Sequence, residues 1–189
     1  MGTIFVDNIK QQSSQGSGTI TIGASGETVA LASGVKQSNL LTPAFKSLNN
    51  GTSTQSVSHG TWTEINIFDN ENFDTDNAFN TSTGRFTPNV AGKYFLNTST
   101  FCLNGLTAGF NAIAIIKNGS VSLNSANEIG YITRLATGDT ELRIFGILSM
   151  NGTTDYASVF AHQQTSSAKT FGGNGAASEF FFEAYRIGS

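Results

Sequence analysis

Cysteine, charge and long apolar runs are scarce in this sequence of 189 residues. The single cysteine, Cys102, excludes a disulfide within the chain and is expected to pack as a small core residue. Charged residues make up 12% and the net charge is −3, which argues against nucleic acids and anionic membranes as partners, since both require a basic patch. No window approaches the roughly 18 apolar residues of a membrane span. The first residues also lack the pattern of a signal peptide, so we expect synthesis in a reducing cytoplasm.

Sequence patterns typical of catalysis are missing as well. His59 and His162 are far apart and have no cysteine or glutamate at ligand spacing, so each is expected on a strand edge. There is no Gly-x-Ser-x-Gly elbow. The glycine-rich stretch at 170–175 lacks the Gly-Lys-Ser/Thr of a phosphate loop and is predicted to be a wide loop between the last two strands. We therefore predict a protein that is not an enzyme, with no catalytic residue and no cofactor.

Four acidic residues lie close together without forming a calcium-binding loop. The segment lacks the Asp-x-Asp-x-Asp-Gly pattern that ends in glutamate. A solvated loop is therefore the preferred interpretation, and no metal ligand is predicted. The four residues are Asp69, Glu71, Asp74 and Asp76.

Aromatic residues, by contrast, are abundant, and their most specific arrangement lies at residues 68–98. Asp, Asn, Thr and Gly separate the rings there, and the spacing is too wide for a helical stripe. Such spacing is typical of short strands that share one core. The rings belong to Phe68, Phe73, Phe79, Phe86, Tyr94 and Phe95.

Short alternating runs separated by turn residues continue to the end of the chain, and no helical stripe exceeds two turns. Asn-Gly pairs stand between several runs, at Asn50, Asn118 and Asn151 for example, and predict hairpins there. Regular strands with turn signals between them predict an all-β sandwich or jelly roll. Strand candidates after residue 80 are 84–88, 93–102, 112–117, 128–134, 141–150, 156–162 and 179–187.

Residues 1–42 differ from the rest and are predicted to form a β-rich amino-terminal arm, with the second domain at 43–189. Short runs of aliphatic residues there have the period of two that is typical of short strands, and glycines separate the runs. Such a segment cannot bury enough surface alone, so it must lie on something else: its own domain, sister chains or a larger body. A disordered tail is the alternative. The expected anchor residues are Ile4, Phe5, Val6, Ile20 and Ile22.

Two strands are predicted to be apolar on both faces, which is unusual for a sandwich sheet in a monomer. One strand contains Tyr94, and the other is the last strand, where Phe180 is expected to share a face with Phe182. Another copy of the same chain is the simplest partner that would bury the second apolar face, so we predict a homo-oligomer. The residues expected at its interface are Phe95, Phe101, Phe181 and Tyr185.

Six spaced residues resemble a known family signature: Phe68, Asp74, Phe79, Phe86, Gly92 and Tyr94. The signature is that of the globular head of the collagen-tailed complement recognition protein, in the complement and tumour-necrosis-factor jelly-roll superfamily. Leu96 and Thr98 depart from it, since the family prefers Phe and an aromatic residue there. The resemblance covers 43–189 and implies a ten-stranded jelly roll, usually a tight homotrimer with the Gly-x-Tyr strand and the last strand beside the threefold axis. Some members bind calcium, which leaves a cation site open at the acidic residues.

The arm carries a second resemblance, at residues 1–10 and 18–34, to leaders of virion proteins from tailed phages, cyanophages among them. It implies a protein made in the host cytoplasm and built into the virion. Residues 1–42 would attach it to other virion proteins or form a trimeric β stem, with the jelly roll displayed at the far end. The implied role is a tail fibre or fibre-tip component whose head contacts a host surface glycan or protein. A capsid decoration or cement protein and a free carbohydrate-binding module are the alternatives. Loops at 104–109 and 168–177 are the expected contact sites.

Overall fold

Antiparallel β-strands form all the regular structure in the part of the chain that the computed structural model describes. Within that part, no helix has the length and apolar character needed to cross a membrane. The arm and its anchor residues Ile4, Phe5, Val6, Ile20 and Ile22 lie outside it, as do 104–108 and 174–177 of the two expected contact loops. The described residues are 43–103, 109–119, 121, 126–136, 140–173 and 180–188.

Thirteen strands occur in these residues, which confirms the all-β class. Five of them are only two to four residues long, and the resemblance to the jelly-roll family implied ten strands. The long strands lie within a few residues of the predicted ones, because turn residues bound the apolar runs from which they were predicted. The strands are β1 (Ala44–Leu48), β2 (Thr54–Val57), β3 (Thr63–Ile65), β4 (Asn70–Asp74), β5 (Phe79–Asn80), β6 (Arg85–Phe86), β7 (Gly92–Leu103), β8 (Gly109–Lys117), β9 (Glu128–Ala136), β10 (Thr140–Met150), β11 (Ala157–Gln164), β12 (Lys169–Gly172) and β13 (Phe181–Gly188).

The first sheet, sheet I, has the strand order β4–β1–β13–β7–β10. Its central strand, β7, pairs along its length with β10. On its other side β7 pairs with β13 as far as Ser99 and then with β12 at Cys102 and Leu103. β2 in turn pairs with β12. Among the described strands, β10 is therefore an edge strand of sheet I.

The second sheet, sheet II, has the order β5–β6–β11–β8–β9. Its central strand, β11, pairs with β8 on one side. On the other side β11 pairs first with β6, at Ala157 and Ser158, and then with β3. Consecutive strands β8 and β9 form an antiparallel pair, as the Asn-Gly at Asn118 predicts.

Phenylalanine rings from both sheets meet in the core between them. Phe45 of β1 is fully buried and stacks on Phe79 and Phe86, with ring centroids 4.4 and 4.7 Å away. Its edge meets Phe182 of β13 at 5.1 Å. Cys102 is also fully buried in this core, as expected from its apolar surroundings. Phe45 thus ties sheet I to the short strands that close sheet II.

Two of the predicted hairpins are wrong. Asn50 follows β1, but β1 pairs with β13 and β4 while β2 pairs with β12. Asn151 lies between β10 of sheet I and β11 of sheet II. Both asparagines close a turn with their own side chain: Asn50 Oδ1, for example, accepts hydrogen bonds from the backbone N–H of Thr52 and Ser53, both at 2.8 Å. An asparagine that bonds to the backbone two or three residues on fixes a turn but not the strand that follows it.

The loop predicted at 170–175 is wrong for its first residues. Residues up to Gly172 belong to β12, and Phe171 is fully buried in the core. The strand is short, and its partners β2 and β7 are distant in sequence. Local glycine content therefore predicted a loop where long-range pairing forms a strand.

Asp155 ties two turns together, and its charge is expected to contribute to stability. Its Oδ1 accepts a hydrogen bond from Asn118 Nδ2 at 2.8 Å, and its Oδ2 accepts one from the Asn151 backbone N–H at 2.9 Å. Lys117 Nζ lies 3.6 Å from Oδ2. The hydrogen bond from Asn118, with smaller contributions from Asn151 and Lys117, lowers the pKa of Asp155 although burial opposes it. The carboxylate is therefore stabilised in the folded state.

We expect Asp155→Asn to lower the free energy of unfolding at pH 7 by about 1–3 kcal/mol, because an amide has one oxygen for the two donors. Since the folded pKa lies below the unfolded one, this stabilisation is present above the usual aspartate pKa and is lost as the pH falls through the folded value. Urea unfolding of both proteins at pH 7 and below about pH 3 measures the difference. A difference that stays constant over this range would contradict the assignment. The exposed Glu71→Gln serves as the control with little effect.

Candidate assembly surface

The outward face of sheet I carries all the large hydrophobic side chains that are exposed among the described residues. We call this surface, together with Phe95, Phe101 and Phe181 on the same side, the apolar face. An exposed apolar patch of this kind is typical of an interaction surface. The exposed side chains are Phe73 (46% exposed), Phe145 (65%), Ile147 (56%), Tyr185 (49%) and Ile187 (47%).

Strand register brings these side chains into rows across the sheet. Ile147, Phe95 and Tyr185 are cross-strand neighbours on β10, β7 and β13. The Phe95 ring lies 5.3 Å from the ring of Tyr185 and 5.9 Å from that of Phe145. Aromatic rings on three adjacent strands thus form one continuous surface. Phe145 and Ile147 were missed from sequence, although both alternate with the buried residues of their strand.

The expected interface residues Phe101 and Phe181 are already partly covered by the chain itself. Phe181 is only 7% exposed, because Lys46 Nζ lies 4.7 Å and the Arg143 guanidinium 5.0 Å from its ring centroid. These distances are those of cation–π contacts. The ring of Phe101 lies 5.2 Å from that of Phe180. Phe180 therefore does not share the core-facing side of Phe182, since it precedes β13 and packs against a residue of the apolar face.

Charges of both signs are interspersed with the rings of the apolar face. Lys46 Nζ lies 3.0 Å from Glu183 Oε2, and Asn97 Nδ2 donates to Glu183 Oε1 at 2.8 Å. On the next row, Ser99 Oγ donates to Glu141 Oε1 at 2.9 Å. These hydrogen bonds hold the acidic side chains flat against the sheet. A surface with both signs of charge does not require a strongly charged partner.

The outward face of sheet II also has apolar side chains, but the chain covers them. Ala114, Ile116 and Phe160 are buried there, with Trp62 and Val121 packed against them. No comparable cover lies over the apolar face of sheet I among the described residues. The two faces of the sandwich are therefore unequal, and sheet I has the unpartnered one.

His162 lies at the covered face of sheet II, on the central strand β11. The prediction of a strand edge is therefore wrong for this histidine. Its ring centroid is 5.1 Å from that of Trp62 and 5.7 Å from that of Phe110. Burial lowers the pKa of His162, although a hydrogen bond with the Gly60 backbone partly opposes this. The residue packs as an aromatic side chain.

Most rings of the 68–98 stretch lie in the core. Phe68, Phe86 and Tyr94 are fully buried, and Phe79 is 4% exposed. Tyr94 Oη donates to the Val90 carbonyl at 2.7 Å, which satisfies its hydroxyl. Phe73, which the spacing places in the same core, instead lies on the outward side of β4, opposite Lys46. A bulge and a turn on either side of that position change which way the ring points.

The other two signature residues, Asp74 and Gly92, fix the conformation of the backbone. Asp74 Oδ2 accepts a hydrogen bond from the Phe79 N–H at 2.6 Å, and its Oδ1 accepts one from the Asp76 N–H at 3.2 Å, so Asp74 closes the turn between β4 and β5. Gly92 has φ +154°, and a Cβ there would lie 2.6 Å from Arg186 Nε. Glycine lets β7 begin directly against the end of β13.

The acidic residues do not come together as a cation site. In the part of the chain that the structure describes, no three His, Cys, Asp or Glu side chains are placed to hold a metal ion. Asp69 accepts hydrogen bonds from Asn50 N and Nδ2 at 3.1 and 2.8 Å, which fixes the turn after β1. Asp74 is occupied by its own turn.

Comparison with known proteins shows the fold. No family model matches the chain, and no curated protein matches it. Murine APRIL is similar over 77% of this chain and 99% of its own, at 9% identity and a TM-score of 0.54. The Eiger TNF of S. frugiperda is similar over 78% and 94%, at 10% identity and a TM-score of 0.52. The globular domain of a zebrafish complement 1qA protein aligns over 77% and 97%, at 17% identity and a TM-score of 0.49.

At this level of identity the similarity concerns the fold alone. The described strands form a jelly roll like those of murine APRIL and Eiger, so the jelly-roll fold that the signature implies is confirmed. The second resemblance, of residues 1–42 to virion leaders, stays a prediction.

Proposed function

We propose that this chain is a non-enzymatic protein that forms a homotrimer through the apolar face of sheet I and is displayed on a phage particle, as a tail fibre or fibre-tip component. The observation that carries the proposal is the apolar face itself. Five large hydrophobic side chains, each at least 46% exposed, lie on one face of one sheet. A protomer that exposed this surface to water would be prone to nonspecific association, so a specific partner is expected.

A second copy of the chain is the partner that fits best. The aromatic rings and Arg143 of the apolar face resemble the composition of subunit interfaces, which are enriched in aromatic residues and arginine. Its exposed residues reach the edge strand β10, where Phe145 and Ile147 can contact a neighbouring subunit. The fold supports the same partner, since proteins of this jelly-roll type typically associate as trimers. A threefold head would give avidity from three weak sites.

The virion role rests on the resemblance of residues 1–42 to phage leaders and fits an arm that needs a larger body to lie on. We expect a chain without residues 1–42 to form a trimeric head that no longer joins particles. Affinity-tagged full-length and truncated chains, expressed during infection and quantified in purified particles, measure this. Incorporation of the truncated chain at the full-length level would reject the anchor role.

A capsid decoration protein is the second candidate, and copy number separates it from a tail fibre. A few to a few tens of copies per particle would support the tail, while hundreds would support the capsid. Absence from particles, together with glycan binding by the head, would instead support a free carbohydrate-binding module. Quantitative mass spectrometry of purified virions gives the number directly.

A further inference from the structure

A small polar pocket opens on the outward side of sheet II, on the opposite side of the sandwich from the apolar face. Its volume is about 300 Å³. Arg85 of β6 and Glu64 of β3 lie beside each other because both strands pair with β11. The pocket therefore stays accessible when sheet I is covered by other subunits. Its lining residues are Gln55, Glu64, Asn66, Thr83 and Arg85.

The polar groups of this pocket are held in fixed positions. Arg85 Nε and Nη2 each donate to one oxygen of the Glu64 carboxylate at 2.8 Å, which is the bidentate geometry of a strong pair. The guanidinium also lies 4.2 Å from the ring centroid of Tyr156. Gln55 Nε2 donates to the Glu64 carbonyl at 2.9 Å, and Gln55 Oε1 accepts from the Asn66 N–H at 3.0 Å. Three separate segments of the chain thus hold one rigid set of donors and acceptors.

The charge state of the pair is fixed as well. Burial alone would raise the pKa of Glu64, but the neighbouring groups, first of all the hydrogen-bonded Arg85 guanidinium, outweigh it and hold the pKa below its usual value. Glu64 is therefore an anion beside a cation, and the pocket has no net charge from this pair. Neither a free anion nor a free cation is favoured there, since each meets a like charge.

A neutral ligand with neighbouring hydroxyl groups matches this arrangement. A hydroxyl both donates and accepts, so one can accept from Arg85 while the next donates to Glu64. At the rim, the side chains of Asn66 and Thr83 already donate to the carbonyls of Ser82 and Asn80, and their oxygens can accept from a further hydroxyl. A volume near the lower end of ligand pockets, which span about 300–1,000 Å³, fits one sugar ring.

We propose that the pocket between Glu64, Asn66, Thr83 and Arg85 binds one neutral pyranose residue of a glycan. The inference deepens the proposed host contact, on which its biological role rests, by naming the ligand class and the site. It differs from the loops at 104–109 and 168–177 that the sequence suggested as contact sites. In a trimer the three pockets would face outward, so a multivalent glycan could engage more than one.

Saturation-transfer difference NMR on the full-length chain tests the site, with methyl glycosides of glucose, galactose, mannose and N-acetylglucosamine as probes. We expect saturable binding of at least one of them. Arg85→Lys keeps the charge but loses the bidentate fork and should weaken binding at least about tenfold. Thr83→Phe, at an exposed position, should block the pocket without touching the core. Ser166→Phe, exposed beyond the far end of β11, is the matched control and should bind like the wild type.

The inference is overturned if none of the four sugars binds, if both pocket variants bind like Ser166→Phe, or if inorganic phosphate displaces the sugar. If circular dichroism shows that the Arg85→Lys protein is unfolded, Thr83→Phe still tests the pocket. Sedimentation of the same samples separates the two proposals. A trimer without sugar binding rejects the pocket only, and a monomer that binds sugar at this pocket rejects the assembly only.

Discussion

Phe45→Ala is expected to lower the free energy of unfolding by about 3–5 kcal/mol, the usual cost of deleting a buried phenylalanine. The ring is fully buried and lies within 5.1 Å of three other rings, those of Phe79, Phe86 and Phe182. Two of these belong to sheet II, so the truncation leaves a cavity at the contact between the sheets. A loss of this size is a large part of the roughly 5–15 kcal/mol that holds a domain folded.

Urea unfolding at one fixed protein concentration measures the effect of Phe45→Ala, since association of subunits makes stability depend on concentration. Phe45→Leu keeps most of the volume and should cost less than about half as much. A Phe45→Ala variant within 1 kcal/mol of the wild type, roughly the cost of a surface change, would contradict the central place of this ring.

The double variant Phe145→Glu, Tyr185→Glu is expected to be a folded monomer. Both side chains are at least 49% exposed in the protomer, so glutamate does not disturb the core. In the trimer each charge would be buried beside the Phe95 ring without a partner. Interface aromatic residues of this kind contribute about 2–4 kcal/mol each when truncated, so two charges should raise the dissociation constant by several orders of magnitude.

Sedimentation velocity and circular dichroism together test this variant. The control adds two charges at the end of β11 in sheet II and just beyond it, at the exposed positions Gln164 and Ser166. This Gln164→Glu, Ser166→Glu variant should sediment as the wild type does. If the Phe145→Glu, Tyr185→Glu protein also sediments as the wild type does, the apolar face is not the interface.

Much of the fold could be predicted from the sequence because its strands are short runs bounded by turn residues. The described side chains of β10 alternate between more buried and more exposed, whereas seven of the eight residues of β11 are buried, and six spaced residues carried the resemblance to the jelly roll. β12 could not be predicted, since its strand character comes from pairing with β2 and β7 rather than from its glycine-rich sequence. The Asn-Gly pairs failed for the same reason: an asparagine side chain fixes the turn, whereas the destination of the next strand is set by the packing of two sheets.

The candidate surfaces were predictable to different degrees. Phe95 and Tyr185 could be placed on the outward face from strand period alone, and the structure brings their rings to 5.3 Å. The contacts of Lys46 and Arg143 with the Phe181 ring could not be predicted from the sequence, because they depend on the order of strands in sheet I. The Glu64–Arg85 pair was also missed, since the two residues are 21 positions apart and meet only through β11.

Sedimentation equilibrium of the full-length chain at micromolar concentration tests the homotrimer. We expect one species with three times the 19.9 kDa mass of the chain. A monomer of 19.9 kDa throughout that concentration range, or a dimer, would contradict it.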